Sequence, residues 1–489
     1  MAGIAKQALV VSLSRFANYG LLLISPIVLV RLLTVGEFGR YREFLVYSSV
    51  LASIAAFSIP NSLLFFVPAN PARSWQYVRQ TVQLTALTSF AVVLCVVVAD
   101  LATGGAVIGK QLWPVALYVL VFTNFDFWEY LWLATQRPIG VFAYTSGRLV
   151  ARMLVVIALA YVFHQVRIVL WGLIGLESVR LVGSAVAWKL AVPTAGAPAP
   201  QPGDWRRMLH FCLPIGGSNL LSMSNRYAAS IFVAKAMGPV ALAHYTIGTY
   251  VEPIVITLRN SLSDALLPAI VNRGNRSKGE AVTLWQRGTV IAAILLLPIG
   301  CLLERYANTL ITTVFSSTYA AAVPVLRIFL IVLIRECFDF PMALKAINKT
   351  RYFLYADVAA IVVNLSLLVA LVPTWGLVGV TAAYVISSWL QGFYLGWCTT
   401  RFYAIPVRKF IPWAEMSKVA LAAVLPLVLT YGSYMTDHFK LFGVILGSTL
   451  YLPAYALLLW IFRVREAHTL FERVRERLAT WIPRPHHGH

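Results

Sequence analysis

Ionisable side chains embedded in long apolar runs are the residues of this sequence best suited to chemistry. Five arginines, Arg15, Arg180, Arg226, Arg259 and Arg335, fall inside segments otherwise poor in charge. An arginine near the middle of a lipid-facing helix costs about 2.5–3.5 kcal/mol, so all five must face protein, water or an anion. Spacing divides them. Arg180 has Glu177 three residues before it, and Arg335 has Asp339 four residues after it, each on a shared helical face. These read as structural ion pairs that tie helices together. Arg15, Arg226 and Arg259 have no carboxylate three or four residues away. For them two readings stand: partners on other helices neutralise them, or they line a wet central cavity that receives an anionic ligand.

Their neighbours suit an anion carrying sugars. Arg15, Asn18 and Tyr19 share one face of the first apolar segment. In the seventh, Asn219, Ser222, Arg226 and Ser230 form a stripe, with Ser218 and Asn225 beside it. A guanidinium stays charged and offers a planar fork to two phosphate oxygens, while Asn, Ser and Tyr bond to hydroxyls. The acids Asp126 and Glu129, at i and i+3, lie among Phe125, Phe127, Trp128, Tyr130 and Trp132. With Glu177 they are candidates for holding a coupling cation or for fixing cavity arginines. The aromatics either stack on sugar rings or form an interfacial belt.

Covalent chemistry has no comparable candidates. Gly104–Lys110 fits the first part of a P-loop, but Gln111 follows instead of Ser or Thr and no βα unit surrounds it. No Ser/His/Asp arrangement or metal-spaced His/Cys cluster occurs, so the chain reads as no enzyme, with no cofactor and no metal. His486, His487 and His489 read as a disordered end. The cysteines (Cys95, Cys212, Cys301, Cys337, Cys398) form no C-x-x-C motif and indicate no redox role.

The elements that carry these residues are apolar runs. The 489-residue chain is 59% hydrophobic and 12% charged, and about 20 apolar residues span a bilayer as a helix. Fourteen spans are expected: Ala8–Val30, Phe44–Val67, Val82–Ala99, Pro114–Ala134, Val150–Phe163, Ile168–Leu190, Leu209–Ala234, Tyr245–Ile270, Thr289–Glu304, Val325–Ala346, Tyr352–Val372, Leu377–Cys398, Val419–Tyr434 and Leu441–Phe462. The fifth and ninth are short for a crossing. The fold class is therefore an all-α polytopic membrane protein of about fourteen transmembrane helices.

Loop charge orients them. With the N-terminus cytoplasmic, 26 Lys and Arg, Arg148 and Arg152 among them, fall in cytoplasmic segments and nine on the opposite face, as the positive-inside bias requires. Both termini are then cytoplasmic in a bacterial inner membrane. The net charge of +21 suits a basic surface against anionic lipid rather than nucleic acid. Arg15 interrupts the first apolar run and no cleavage pattern follows, so it reads as a retained span.

The Pro/Ala/Gly-rich run Ala191–Asp204 marks a cytoplasmic linker, 191–208, between a six-span lobe (1–190) and a second one (209–400). Spans thirteen and fourteen occupy 401–462. The tail, 463–489, has an amphipathic stripe of Leu470, Phe471, Val474, Leu478, Trp481 and Ile482 that suits a helix on the inner membrane surface. The lobes look related: each opens with an arginine-bearing span followed by small-x-Tyr, as Gly39-Arg40-Tyr41 and Ala243-His244-Tyr245. Transporter repeats of this kind bracket the substrate site.

Several segments resemble Wzx-type polysaccharide flippases, which handle O-antigen or exopolysaccharide units in the polysaccharide transport branch of the multidrug/oligosaccharidyl-lipid/polysaccharide exporter superfamily. They are Leu33–Tyr41, Met237–Tyr245, Phe315–Ala322 (Ser316 replacing the usual glycine) and Trp375–Ala383. The second span, with Ser58-Ile59-Pro60-Asn61-Ser62, departs from the glycine-rich version of the family. The resemblance implies two six-helix lobes rocking around a cationic cavity. It also implies passage of an undecaprenyl-pyrophosphate-linked oligosaccharide from the inner to the outer leaflet, beside a polysaccharide polymerase and export machinery. Arg15, Arg226 and Arg259 would surround the pyrophosphate. The alternatives are a drug or cation antiporter of the same superfamily, which needs carboxylates where Arg15 and Arg226 stand, and a membrane oligosaccharide polymerase, which needs a large outer loop.

Overall fold

A computed structural model describes residues 24–191, 204–274, 277–347, 349, 351–433, 440–469 and 472. Arg15, Asn18, Tyr19, most of the linker, the terminal histidines and most of the amphipathic tail lie outside the described residues. Among the described residues the regular structure is all helical, and the chain is an all-α polytopic membrane protein. Its contacts form two units, Met1–Thr246 and Ile247–His489.

In the first unit, helical residues 24–32 (α1) lead to α2 (Val35–Ala56). The Thr34 hydroxyl accepts from the Glu37 N–H at 3.3 Å and the Glu37 carboxylate accepts from the Thr34 N–H at 3.2 Å, a reciprocal cap that starts the helix. α2 stops where Phe57 and Ser58 take φ of 41° and 57°. Pro60 then opens a 3-10 turn into α3 (Leu63–Ala69), and the bent pair forms one apolar crossing with a 44° bend. On α4 (Ser74–Ala102), Leu87, Phe90, Leu94, Val98 and Leu101 recur every three or four residues and are each at least 50% exposed. Thr81, Thr85 and Ser89 are buried. Such an uncovered apolar stripe belongs against lipid.

The fourth expected span is broken into α5 (Leu112–Thr123) and α6 (Trp128–Ala134). α7 (Pro138–Phe163) and α8 (Val166–Ala191) follow, then the 33-residue α9 (Asp204–Ala236), which packs on α2. α7 has 26 residues, so the short fifth span is a full-length helix. Proline at its first turn is preorganised for a helix start, and polar Thr145, Ser146 and Arg148 hid the rest from the hydropathy pattern. This corrects the charge tally: Arg148 and Arg152 lie within α7, not in a loop.

The glycine of the first small-x-Tyr segment meets the start of α10 (Gly238–Gly248) here. This helix begins beside α2, and a Cβ at Gly39 would collide with the Pro239 carbonyl. Only glycine admits this approach.

In the second unit, α11 (Glu252–Gly274) packs along α12 (Lys278–Leu310). The latter has 33 residues, so the ninth span is also longer than its apolar run. A π turn (Ile311–Phe315) and a 3-10 turn (Ser317–Ala322) lead to α13 (Val323–Phe329), α14 (Ile331–Glu336) and α15 (Phe340–Ala346). α16 (Arg351–Tyr403) contains both the eleventh and twelfth expected spans; Gly376, at φ 54° and ψ −131°, breaks it between them. α17 (Val407–Phe410), α18 (Trp413–Val424) with a 3-10 extension (Leu425–Ser433), and α19 (Lys440–Ile461) complete the unit.

Its core centres on Trp285, whose ring lies 5.4 Å from Phe340 and 4.6 Å from Phe410. The indole N–H donates to the Asp339 carbonyl at 2.8 Å. Among the described residues, eight helices are long and apolar enough to cross a membrane, and the bent α2–α3 pair makes a ninth. α9 is long enough but more polar, because it carries the Asn/Ser/Arg stripe.

Candidate functional site

The break in the fourth span organises the first charged cluster. α5 ends in carbonyls that have no helical partner, a costly state in a membrane. Arg180 on α8 supplies the donors: its Nη2 donates to the carbonyls of Val121 (2.6 Å), Phe122 (3.1 Å) and Asn124 (3.1 Å), and its Nη1 to that of Phe125 (3.4 Å). Its Nε donates to Glu177 at 2.6 Å, so the pair expected from spacing is formed, but Arg180 also serves as a helix cap.

Arg148 completes the cluster from α7. Its Nη2 donates to Glu177 at 2.9 Å and its Nη1 to both Asp126 oxygens at 3.0 Å. The Tyr144 hydroxyl donates to Asp126 at 3.0 Å. The Arg148 guanidinium also lies 4.6 Å from the Phe122 ring centre. Two carboxylates and two guanidiniums thus neutralise one another, with Glu177 almost fully buried. Glu129 lies in the first turn of α6. Sequence reasoning missed Arg148; the proline that starts α7 was the available signal.

The second unit carries a chain of polar contacts across three helices. Arg259 on α11 donates through Nη1 to Glu336 and through Nη2 to the Asn260 side chain at 3.1 Å. Arg335 also donates to Glu336, and its Nη2 donates to Gln391 Oε1 at 3.2 Å. Gln391 Nε2 donates to Asp357 at 2.6 Å. Two arginines share one buried carboxylate.

This arrangement corrects the expected Arg335–Asp339 pair: Arg335 pairs with Glu336. α14 ends at Glu336, so the i, i+4 geometry does not continue to Asp339. The Asp339 carboxylate instead caps α15, accepting from the Met342 N–H at 3.1 Å.

The third set lies on α9. Asn219 is exposed and donates to Ser58 Oγ at 2.8 Å, at the end of α2. Arg226 is exposed, and among the described residues no carboxylate pairs with it. The continuous helix puts Asn219, Arg226 and Ser230 on one stripe. The P-loop-like segment cannot cradle phosphate as folded, since Asp100 Oδ1 accepts from the N–H groups of Val107 (3.0 Å), Ile108 (2.6 Å) and Gly109 (3.1 Å).

The sequence profile described as "Polysaccharide biosynthesis protein" matches residues 28–324. The chain belongs to that family. No curated protein matches it. Among solved structures, a lipid II flippase MurJ in an inward closed conformation superposes with a TM-score of 0.69 at 13% identity, covering 93% of this chain and 99% of the other. An inward-facing multidrug resistance MATE transporter of the MOP superfamily gives a TM-score of 0.59 at 15% identity, covering 80% and 95%. An outward-facing one gives 0.53 at 15%, covering 83% and 96%. These likenesses establish the fold.

Within this polysaccharide biosynthesis protein, the matched region includes Asp126, Arg148, Glu177 and Arg180, and also Asn219, Arg226 and Arg259. It ends before Arg335, Glu336, Asp357 and Gln391. The polar chain that holds Arg259 therefore draws most of its members from beyond the matched segment.

Proposed function

We propose that this protein translocates an undecaprenyl-pyrophosphate-linked oligosaccharide from the inner to the outer leaflet of the bacterial cytoplasmic membrane, for export of a surface polysaccharide. It works by alternating access, and both termini are cytoplasmic. The protein carries its cargo without covalent chemistry and works beside a polymerase and export machinery. Arg15, Arg226 and Arg259 meet the pyrophosphate, while Asn18, Tyr19, Asn219, Ser222 and Asn225 meet sugar and phosphate oxygens. The polyprenyl tail stays in lipid.

One observation carries this reading. The carboxylates Asp126, Glu177 and Glu336 are each occupied by arginines and Asp357 by Gln391, whereas Arg226 is exposed with no carboxylate partner among the described residues. A cation exporter needs accessible acids; an anion carrier needs accessible cations. Membership of a polysaccharide biosynthesis family and likeness to a lipid II flippase support the same direction.

The test is reconstitution in liposomes with a fluorescent short-chain polyprenyl-pyrophosphate oligosaccharide, following the label's accessibility to an external quencher. Wild type should move the lipid and leave organic cations untransported, and Arg226→Ala should stop it. Efflux of organic cations without movement of the lipid would establish the antiporter reading instead.

A further inference from the structure

In the first unit, α7 carries the run Ile139–Phe163, long and apolar enough to cross a membrane, and Arg152 stands near its middle. One turn earlier, Arg148 spends its charge on Asp126 and Glu177. Arg152 makes no hydrogen bond or ion pair among the described residues. Glu177 acts on it from a distance but is already bound by both Arg148 and Arg180. Residues 1–23 and 192–203 contain no Asp or Glu and bring it no partner. Three arginines thus stand against two carboxylates in this cluster. A charge inside a membrane that lacks a partner marks a functional position.

Aromatic stacking fixes where the spare guanidinium sits. Arg148 lies 4.6 Å from the Phe122 ring centre, Phe122 stacks on Tyr118 at 5.3 Å, and Arg152 lies 5.9 Å from the Tyr118 ring centre. One turn of α7 matches one turn of α5, so two cations clasp a pair of rings. Tyr118 is 3% exposed, yet its hydroxyl has no hydrogen-bond partner. Buried polar groups are seldom left so. Tyr41, from the Gly39-Arg40-Tyr41 segment, is buried too and lies within electrostatic reach of both groups. Arg152 itself is only half-buried.

We propose that Arg152 and the Tyr118 hydroxyl bind a phosphate group, with the Tyr41 hydroxyl as a further donor. The guanidinium supplies charge and a fork for two phosphate oxygens, and the phenol donates to a third. The group is the head of a lipid pyrophosphate or a free phosphate ion, since both offer the same oxygens. A lipid head here adds a second station to the proposed transport and rests on that reading; the phosphate site itself does not.

The experiment follows thermal melting of the full-length protein in detergent as inorganic pyrophosphate is added at constant ionic strength. A ligand bound to the folded state raises the melting point with its occupancy. Wild type should show a saturable rise that chloride does not reproduce. Arg152→Gln should lose about half of that rise or more. Tyr118→Phe should need about tenfold more pyrophosphate for the same rise, as for one hydrogen bond to a charged group. Without ligand, Arg152→Gln should melt at or above wild type, because an unpaired charge is removed. Arg226→Ala should keep the part of the rise that depends on Arg152.

Farnesyl pyrophosphate in place of inorganic pyrophosphate identifies the source of the phosphate. A rise at lower concentration that Arg152→Gln also loses assigns a lipid head, and an Arg152-dependent rise with inorganic pyrophosphate alone assigns a free ion. The site is overturned if Arg152→Gln keeps the full rise, if chloride matches pyrophosphate, or if Tyr118→Phe titrates as wild type. A ligand-free Arg152→Gln protein that melts well below wild type would make Arg152 a scaffold residue and overturn it equally. An intact titration beside failed lipid movement in liposomes would overturn the transport reading alone.

Discussion

Arg259 and Glu336, 77 positions apart, form an ion pair that ties α11 to the end of α14, and Glu336 accepts from Arg335 as well. The carboxylate therefore anchors two cations without neutralising both. Arg259 is held in place by this anchor, within a chain of contacts that runs on through Gln391 to Asp357. Arg226 has no such anchor among the described residues, and the two arginines should respond differently to removal.

Arg226→Ala should leave stability within about 0.5 kcal/mol of wild type, as for an exposed site, yet abolish lipid translocation. Arg259→Ala should abolish translocation and also cost about 1.5–3 kcal/mol, the range for a hydrogen bond to a charged group. Thermal melting in detergent beside the liposome assay separates the two. Equal stability losses would place Arg226 in the scaffold and remove the basis for its binding role.

Glu177 joins Arg148 and Arg180 at the broken fourth span. Glu177→Gln leaves a buried positive excess and should cost about 3–5 kcal/mol, as for a broken buried pair. Arg180→Lys should also destabilise, because an ammonium cannot reach four carbonyls and a carboxylate in one plane. A melting temperature unchanged in both variants would refute the structural role of this cluster.

Asp126 accepts from Arg148 and Tyr144, so it is expected to act as a scaffold acid. With the cell interior negative, the membrane potential favours outward movement of an anion by about 2.3 kcal/mol per charge per 100 mV. In proteoliposomes with imposed gradients, voltage should drive translocation. Any Asp126→Asn or Glu129→Gln protein that folds should respond to voltage as wild type does. A dependence on a proton or sodium gradient that vanishes in either variant would instead identify a coupling acid.

Gly39→Ala puts a methyl group into the Pro239 carbonyl. The α2–α10 contact would have to open, at a cost of at least about 1–3 kcal/mol, the usual range for overpacking. Gly36→Ala, whose new Cβ would sit 3.8 Å from Val240, meets ordinary contact and should be tolerated. Monodispersity and melting of the two variants check this, and equal behaviour would contradict the close approach.

Much of the architecture was legible from residues alone. Apolar run length reports membrane class because the bilayer acts on each helix locally, and the Glu177–Arg180 pair was readable because i and i+3 share a face of one helix. The two short spans misled for an equally local reason: polar residues facing protein shorten an apolar run without shortening the helix. Only tertiary structure decided which charges are satisfied. Arg148 finds Asp126 and Glu177 at separations of 22 and 29 residues, and Arg259 finds Glu336 at 77. A helix end diverts Arg335 from Asp339 to its immediate neighbour. In a low-dielectric interior each buried charge must find a partner, but nothing in the local sequence specifies which helix brings it.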